Sequence, residues 1–301
     1  MRSMTIKTTL GASATRRTRQ TLIILFLAMA FFATVMHHQA KSSAKIVKKY
    51  SSATMALRTI IQTTNPRVIG FGEFHQQEDT SGIPSALKLF TDSLLPELAT
   101  ITSDLIIETW MPEGDCGEAE EQVVEDIQET IKRPETTVNE VEALILKAAD
   151  LGVQPHILEL SCENYKKLQE SDTSVDYDTL LAMIPRQIEE KCAVILGSRL
   201  DSSSLAPLIA IYGGALHNDI APDSGMGNAA FGPALKKMTK GKYVEVDVFV
   251  PEFIASDEEY RKETWFPAYQ KNAGPDSVIL FRPGPDRFVI ILRTTGNPAV
   301  K

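Results

Sequence analysis

Cysteine is scarce. Three in 301 residues cannot build a disulfide framework for a chain of this length. Histidine is scarcer than its share of catalytic work would suggest. Of the five, His37 and His38 lie in the N-terminal head, which leaves only His75, His156 and His217 for chemistry in the body. The 17 Gly and 16 Pro do not recur at a fixed period, which excludes collagen-like, low-complexity and solenoid readings. Positive charge is also in deficit. A net charge of −8 argues against a protein that coats nucleic acid.

The deficits are local as well as global. Residues 1–44 contain no acid but six basic residues, Arg2, Lys7, Arg16, Arg17, Arg19 and Lys41. The remainder is therefore more acidic than the whole, and a basic head on an acidic body reads as a targeting segment on a soluble domain. No formally charged residue lies between Arg19 and Lys41, and Thr21 to Met36 is apolar. That run is longer than a usual signal core and short for a transmembrane helix. Ser42, Ser43 and Ala44 supply small residues for cleavage after Ala44. Residues 1–44 are thus a signal peptide or an uncleaved N-terminal membrane anchor. In either case the positive-inside rule sends the body out of the cytoplasm, to the periplasm, the exterior or the outer side of the membrane. No cysteine near the run supports a lipoprotein anchor, and Arg19-Gln20 spoils a twin-arginine signal.

Residues 45–301 read as one α/β domain. After a polar stretch with a weak helical pattern (45–66), short apolar strands alternate with amphipathic helices. Strands are expected at Arg67–Gly72, Asp104–Glu108, Gln154–Leu160, Pro207–Tyr212 and Lys242–Val250. Helices are expected over 82–99, 117–132, 137–150, 177–192 and 227–239, with a break at Pro134. This pattern implies βαβ crossovers and a mainly parallel central sheet flanked by helices. The end differs. Ser277–Arg282, a Pro-Gly-Pro-Asp turn and Arg287–Arg293 predict a C-terminal antiparallel hairpin at an edge of the sheet.

Ligands of open parallel sheets bind beyond the carboxyl ends of the strands. Two of the three body histidines sit there, each three residues after a glycine: Gly72-Glu73-Phe74-His75 and Gly214-Ala215-Leu216-His217. Glycine permits the sharp exit and close backbone approach, and the histidine after it turns into the crevice. Each motif alone is commonplace. The pair, with Glu108 at the end of an intervening strand, makes a converging set. Two imidazoles with carboxylates suit a divalent metal: Zn, or Mn and Co where oxygen ligands count for more. His75, His217 and Glu73 are the candidate ligands. Glu73 and Glu108 are the candidate catalytic carboxylates, Glu108 as ligand, orienter of an imidazole, or general base. Trp110, Tyr212 and Asn218 flank the crevice as candidate ligand-binding residues, the two aromatics being core residues or a ligand wall.

These motifs resemble those of the Tiki/ChaN/erythromycin-esterase-like superfamily over about residues 65–220, and the Gly-Glu-x-His form looks nearest its ChaN-like and Tiki-like branches. The esterase form, with Thr before the first His and a His-Gly pair, is absent, which speaks against macrolide hydrolysis. The resemblance implies the same α/β fold, with His75 and His217 as the paired motif histidines, Glu73 as the acid within the first motif and Glu108 as the strand-end acid. It also implies two functions: metal-dependent hydrolysis of a peptide or ester, or haem binding for uptake without catalysis. A third expectation is a degenerate, structural member.

Other residues read as structural. His156 opens a strand at the end away from the crevice. Glu159 is second-tier. Cys116, Cys162 and Cys192 lack metal spacing, although Cys162 could approach the crevice. The Ser224–Asn228 loop lacks the Lys-Ser/Thr of a P-loop. The acidic run Glu118–Glu129 is a solvated helix face.

Overall fold

The structure is a computed structural model that describes residues 45–112, 116–134, 136–171, 174–198, 207–223, 225–258 and 260–294. The basic head and its apolar run lie outside these residues. Among the described residues, no helix is long and apolar enough to cross a membrane.

Among the described residues, eight strands form one sheet. In chain order these are β1 (Lys45–Tyr50), β2 (Val68–Glu73), β3 (Thr102–Pro112), β4 (Gln154–Leu160), β7 (Leu208–Gly214), β8 (Tyr243–Phe249), β9 (Val278–Gly284) and β10 (Arg287–Ile291). A separate two-stranded ribbon, β5 (Gln169–Ser171) and β6 (Ser174–Val175), stands apart. The order across the sheet is β1-β9-β10-β8-β2-β7-β3-β4. All neighbours are parallel except β9, which runs against both β10 and β1. The α/β class, the parallel centre and the C-terminal hairpin therefore stand as the sequence predicted.

One detail differs. The polar stretch 45–66 is a strand and a helix, and β1 pairs outside β9, so the hairpin lies one strand in from the edge. The strand escaped the periodicity because the exposed Lys48 and Lys49 carry a sheet edge. The helix α1 (Ala53–Thr64) is well signalled locally. Ser52 Oγ accepts from the Met55 N–H at 3.2 Å, and Asn65 ends the helix in the left-handed region at φ 45°. Its buried residues Ala53, Ala56, Leu57 and Ile60 follow helical spacing. Leu57 and Ile60 each contribute about 1.5–3 kcal/mol by that burial.

The central strands β2 and β7 are buried along their whole length, as strands covered on both faces must be. One face joins the main core, where Ile69, Phe71, Tyr212 and Val246 pack under α1, under Phe90 and Leu94 of a π turn, and under α5 (Thr136–Asp150). The other face packs Ile106, Ile209 and Ile211 against Ile184, Ile188 and Cys192 of α7 (Tyr177–Ser198). A third cluster lies beneath the hairpin, built from Phe249, Trp265, Phe266, Phe281 and Ile291.

Cys116 and Cys162 are joined in a disulfide, their Cα atoms 5.0 Å apart, and Cys192 is buried outside it. The cysteine spacing gave no sign of this. The bond depends on β3 and β4 being neighbours, so that the chain leaving each one passes the other.

Candidate functional site

The register of β2 and β7 sets the site. Gly72 pairs with Gly213 and Glu73 with Gly214, so the two glycine motifs leave adjacent strands at the same level. Beyond Gly214 a short helix, α8 (Ala215–Asn218), turns His217 back toward β2. A Cβ on Gly214 would stand 3.2 Å from His75 Nε2 and 3.5 Å from His217 Cδ2, so both imidazoles rest against this one glycine. On the neighbouring strand, Ile107 is level with Tyr212, and Glu108 follows beside Gly213. A Cβ on Gly213 would collide with the Glu108 carboxylate. Close approach, rather than a left-handed backbone, is what demands glycine at both positions.

Each imidazole has its Nδ1 fixed. His75 Nδ1 is 2.8 Å from Glu73 Oε1, and the second Glu73 oxygen accepts from the Tyr212 hydroxyl at 2.7 Å. His217 Nδ1 is 2.5 Å from the Ala229 carbonyl oxygen, which only a protonated Nδ1 can use. His217 Nε2 then faces Glu108 Oε1 at 3.6 Å, beyond a hydrogen bond. Glu108 Oε2 accepts from the Gly214 N–H at 2.9 Å. The loop before α9 (Gly232–Met238) thus holds His217, since Ala229 accepts from the ring and Phe231 N–H donates to the His217 carbonyl at 2.8 Å.

The sequence reading missed Arg133. It lies after α4 (Glu118–Ile131), at the break before Pro134. Its Nη2 is 2.5 Å from His75 Nδ1 and 2.6 Å from Nε2. A group nearly equidistant from both ring nitrogens lies over the ring and in line with neither lone pair. It is also 4.0 Å from Glu73 Oε1. The sequence signal was a Lys132-Arg133 pair before a proline at the end of an acidic helix.

The electrostatics follow. Burial alone would raise the Glu73 carboxyl, but the His75 hydrogen bond, the Arg133 charge and the Tyr212 hydroxyl together hold it below its usual value. Burial and Arg133 push His75 down, against the pull of Glu73 and Glu108. Burial and Glu73 push the Tyr212 phenol well up, so it stays a donor. The resting state is an ionised Glu73 accepting from a neutral His75.

A cation was expected to balance these acids, in the form of a bound divalent metal. The structure puts the Arg133 guanidinium in that role. Among the described residues, no group of three or more His, Cys, Asp or Glu is arranged to hold a metal ion. Both Glu73 oxygens are already engaged by His75 and Tyr212, which makes Glu73 an orienter of His75 rather than a free ligand. The donors as placed do not fit a metal centre.

The other candidates separate. Tyr212 lines the small cavity between His75, Glu108 and Arg133. Trp110 does not line it, and packs instead between the α7 face and the cluster around Val123 and Tyr165. Asn218 is buried, with Nδ2 donating to the Gly70 carbonyl at 3.3 Å, and it ties α8 to β2. His156 pairs with Asp104 at 2.8 Å at the far end of the strands. Glu159 is exposed and accepts from Lys191.

No family profile matches the chain, and no curated protein does. Solved structures do show a likeness. The type III effector HopBA1 is 10% identical over 85% of this chain and 100% of its own, with a TM-score of 0.40. A succinoglycan biosynthesis protein is 12% identical over 70% of this chain and 73% of its own, at 0.33. ChaN of Campylobacter jejuni, solved with cofacially bound haem, is 10% identical over 64% of this chain and 85% of its own, at 0.30. None of the three lends a function to this chain.

Proposed function

We propose that the chain is an exported hydrolase of an amide or ester bond, in which His75 and His217 act as one acid–base centre. The observation that carries this reading is the meeting of two Nδ1-tethered imidazoles on Gly214, with Glu73 behind one and Glu108 beside the other. His75, neutral and oriented by ionised Glu73, takes a proton from water through Nε2, and Glu73 stabilises the imidazolium that forms. Arg133 faces the negative charge that develops on the carbonyl oxygen. The proton that His75 takes from water passes on to the leaving group, with His217 Nε2 and Glu108 Oε1 beside it, 3.6 Å apart. Glu73, His75, Glu108 and Arg133 line the cavity.

Haem binding is the alternative that the same two imidazoles allow. Hydrolysis is favoured by the lining. Glu73, Glu108 and Arg133 ring a narrow crevice, which puts charged and polar groups where a macrocycle would need a flat apolar wall. Export is supported by the basic head before an apolar run and by the Cys116–Cys162 disulfide, a bond that persists in oxidising compartments.

The test is hydrolysis of a panel of peptides and nitrophenyl esters by the chelator-treated protein. Turnover that His75→Ala abolishes supports the reading. Turnover that appears only after Zn, Mn or Co is added restores the metal reading. A Soret band on haem addition that His75→Ala removes, with no turnover, establishes the alternative.

A further inference from the structure

A larger cavity lies on the other side of α8, and the hydrolytic chemistry makes no use of it. Along β8, Val244, Val246 and Val248 join the main core, so Glu245 and Asp247 leave the opposite face. There, with Asp219, Asp223, Glu263 and Arg287, they line a cavity walled by Phe249, Tyr260 and Trp265. The cavity holds five carboxyl groups and one guanidinium. The guanidinium is already spent, since Arg287 Nε donates to both Glu245 oxygens at 2.8 and 3.0 Å and its Nη2 donates to Asp219 at 3.0 Å. Glu245 also accepts from the Ile220 N–H at 2.6 Å. Asp247 is placed differently. Asn218 bonds its carboxylate, but Oδ1 is shut away from solvent with no hydrogen-bond partner. A buried acceptor left open in a cavity calls for a donor that binds there.

We propose that this cavity binds a small organic cation bearing N–H groups, an alkylammonium or a guanidinium, with Asp247 and Glu263 as its anionic partners. The open Asp247 oxygen asks for an N–H donor, which a quaternary ammonium lacks. Phe249 and Trp265 stack with ring centroids 5.7 Å apart, and Tyr260 stands 4.9 Å from Phe249, a wall suited to the apolar stem and face of an organic cation. A divalent metal ion suits the site less well. It requires several convergent oxygens, and here Arg287 occupies those of Glu245 and one of Asp219.

The titration of the cavity agrees. Burial and the Glu245 charge push Asp219 up to about 7, against Arg287, and burial and Asp219 push Glu263 up to about 7. Burial and the neighbouring acids raise Asp247 well above the carboxylate range, and burial raises Glu245 against Arg287. Asp223 and the Lys236–Asp286 ion pair complete the charged surroundings. Protons stand in for the missing cation, so a bound amine displaces them and binds more tightly as pH rises through neutrality.

Calorimetric titration of the full chain tests this, with agmatine as the probe and choline and calcium chloride as comparators. The expected result is saturable binding of one agmatine, with choline about tenfold weaker or more for want of an N–H donor to a charged acceptor. Asp247→Asn weakens agmatine binding by about tenfold or more on the same ground. Glu263→Gln, a half-buried change at the rim, weakens it several-fold and serves if Asp247→Asn does not fold. Affinity rises between about pH 6 and pH 8 in buffers corrected for ionisation. Absent agmatine binding, binding unaltered in both variants, or calcium bound more tightly than agmatine overturns the proposal. His75→Ala leaves agmatine binding unchanged, which separates this site from failure of the hydrolase reading.

Discussion

The crevice at Gly214 and the cavity beneath the hairpin are built from similar parts and settle into opposite states. Each has buried carboxylates and one arginine. In the crevice each carboxylate has its own partners: Glu73 has His75 and Tyr212, and Glu108 has the Gly214 N–H. Glu73 consequently stays ionised despite its burial. In the cavity the carboxylates face one another, Arg287 serves two of them, and the acids rise toward neutrality or beyond. Burial is common to both regions. The imidazoles and their tethers make the difference, turning buried charge into acid–base chemistry in one place and into an unfilled demand for a cation in the other.

The largest effect falls on the crevice alone. His75→Ala or His217→Ala is expected to lower kcat/KM by about 10²–10⁴-fold, the usual contribution of a positioned acid or base. Steady-state hydrolysis measures this, and if either variant retains wild-type turnover, the crevice has no more claim to catalysis than the cavity. Next comes the disulfide. Cys116→Ser opens a link spanning 46 residues, around the segment that carries Arg133. A loss of about 2–4 kcal/mol in denaturant unfolding is expected, together with weaker hydrolysis, while the cavity, built from other segments, keeps its ligand. Gly213→Ala drives a methyl into the Glu108 carboxylate. Overpacking of this kind costs about 1–3 kcal/mol, readable as a fall in Tm, and it displaces the Glu108 partner of His217.

The smallest effect distinguishes the two regions by sign. Glu73 has a lowered folded pKa, so its contribution to stability is present above the unfolded carboxylate value and is lost as pH falls toward the folded one. Asp219 and Glu263 have folded values raised to about 7, so their contribution is full below the unfolded value and is lost as pH rises through about 7. Tm should therefore fall between about pH 5 and pH 8, and Glu263→Gln should flatten that fall. A Tm that climbs over this range would mean the cavity acids are not raised.

The crevice was largely legible in the sequence. Short apolar strands and two glycine-histidine exits fixed which sheet edge mattered, because a strand's carboxyl end and its next few residues are local facts. The pairing of Glu73 with His75 needed only a two-residue spacing. Arg133 was hidden, since it reaches His75 across 58 residues from a helix end whose packing no local pattern reports. The cavity was hidden more thoroughly. Glu245 and Asp247 sit in a strand whose alternation is plain in hindsight, yet their partners Asp219, Glu263 and Arg287 come from three other segments brought together by the parallel pairing of β8 and β10. The edge strand β1 was lost to its lysines, and the disulfide to the wide separation of its cysteines.

The central claim is that two imidazoles, each tethered at Nδ1, present Nε2 to one reaction space. Nitrogen-15 NMR of the imidazole rings through a pH titration tests this most directly and requires no knowledge of the substrate. The account predicts Nδ1-protonated tautomers at both His75 and His217 near neutrality, with His75 taking up its second proton only below the ordinary histidine range. An Nε2-protonated tautomer at either ring, or a His75 already cationic at about pH 7, would contradict it.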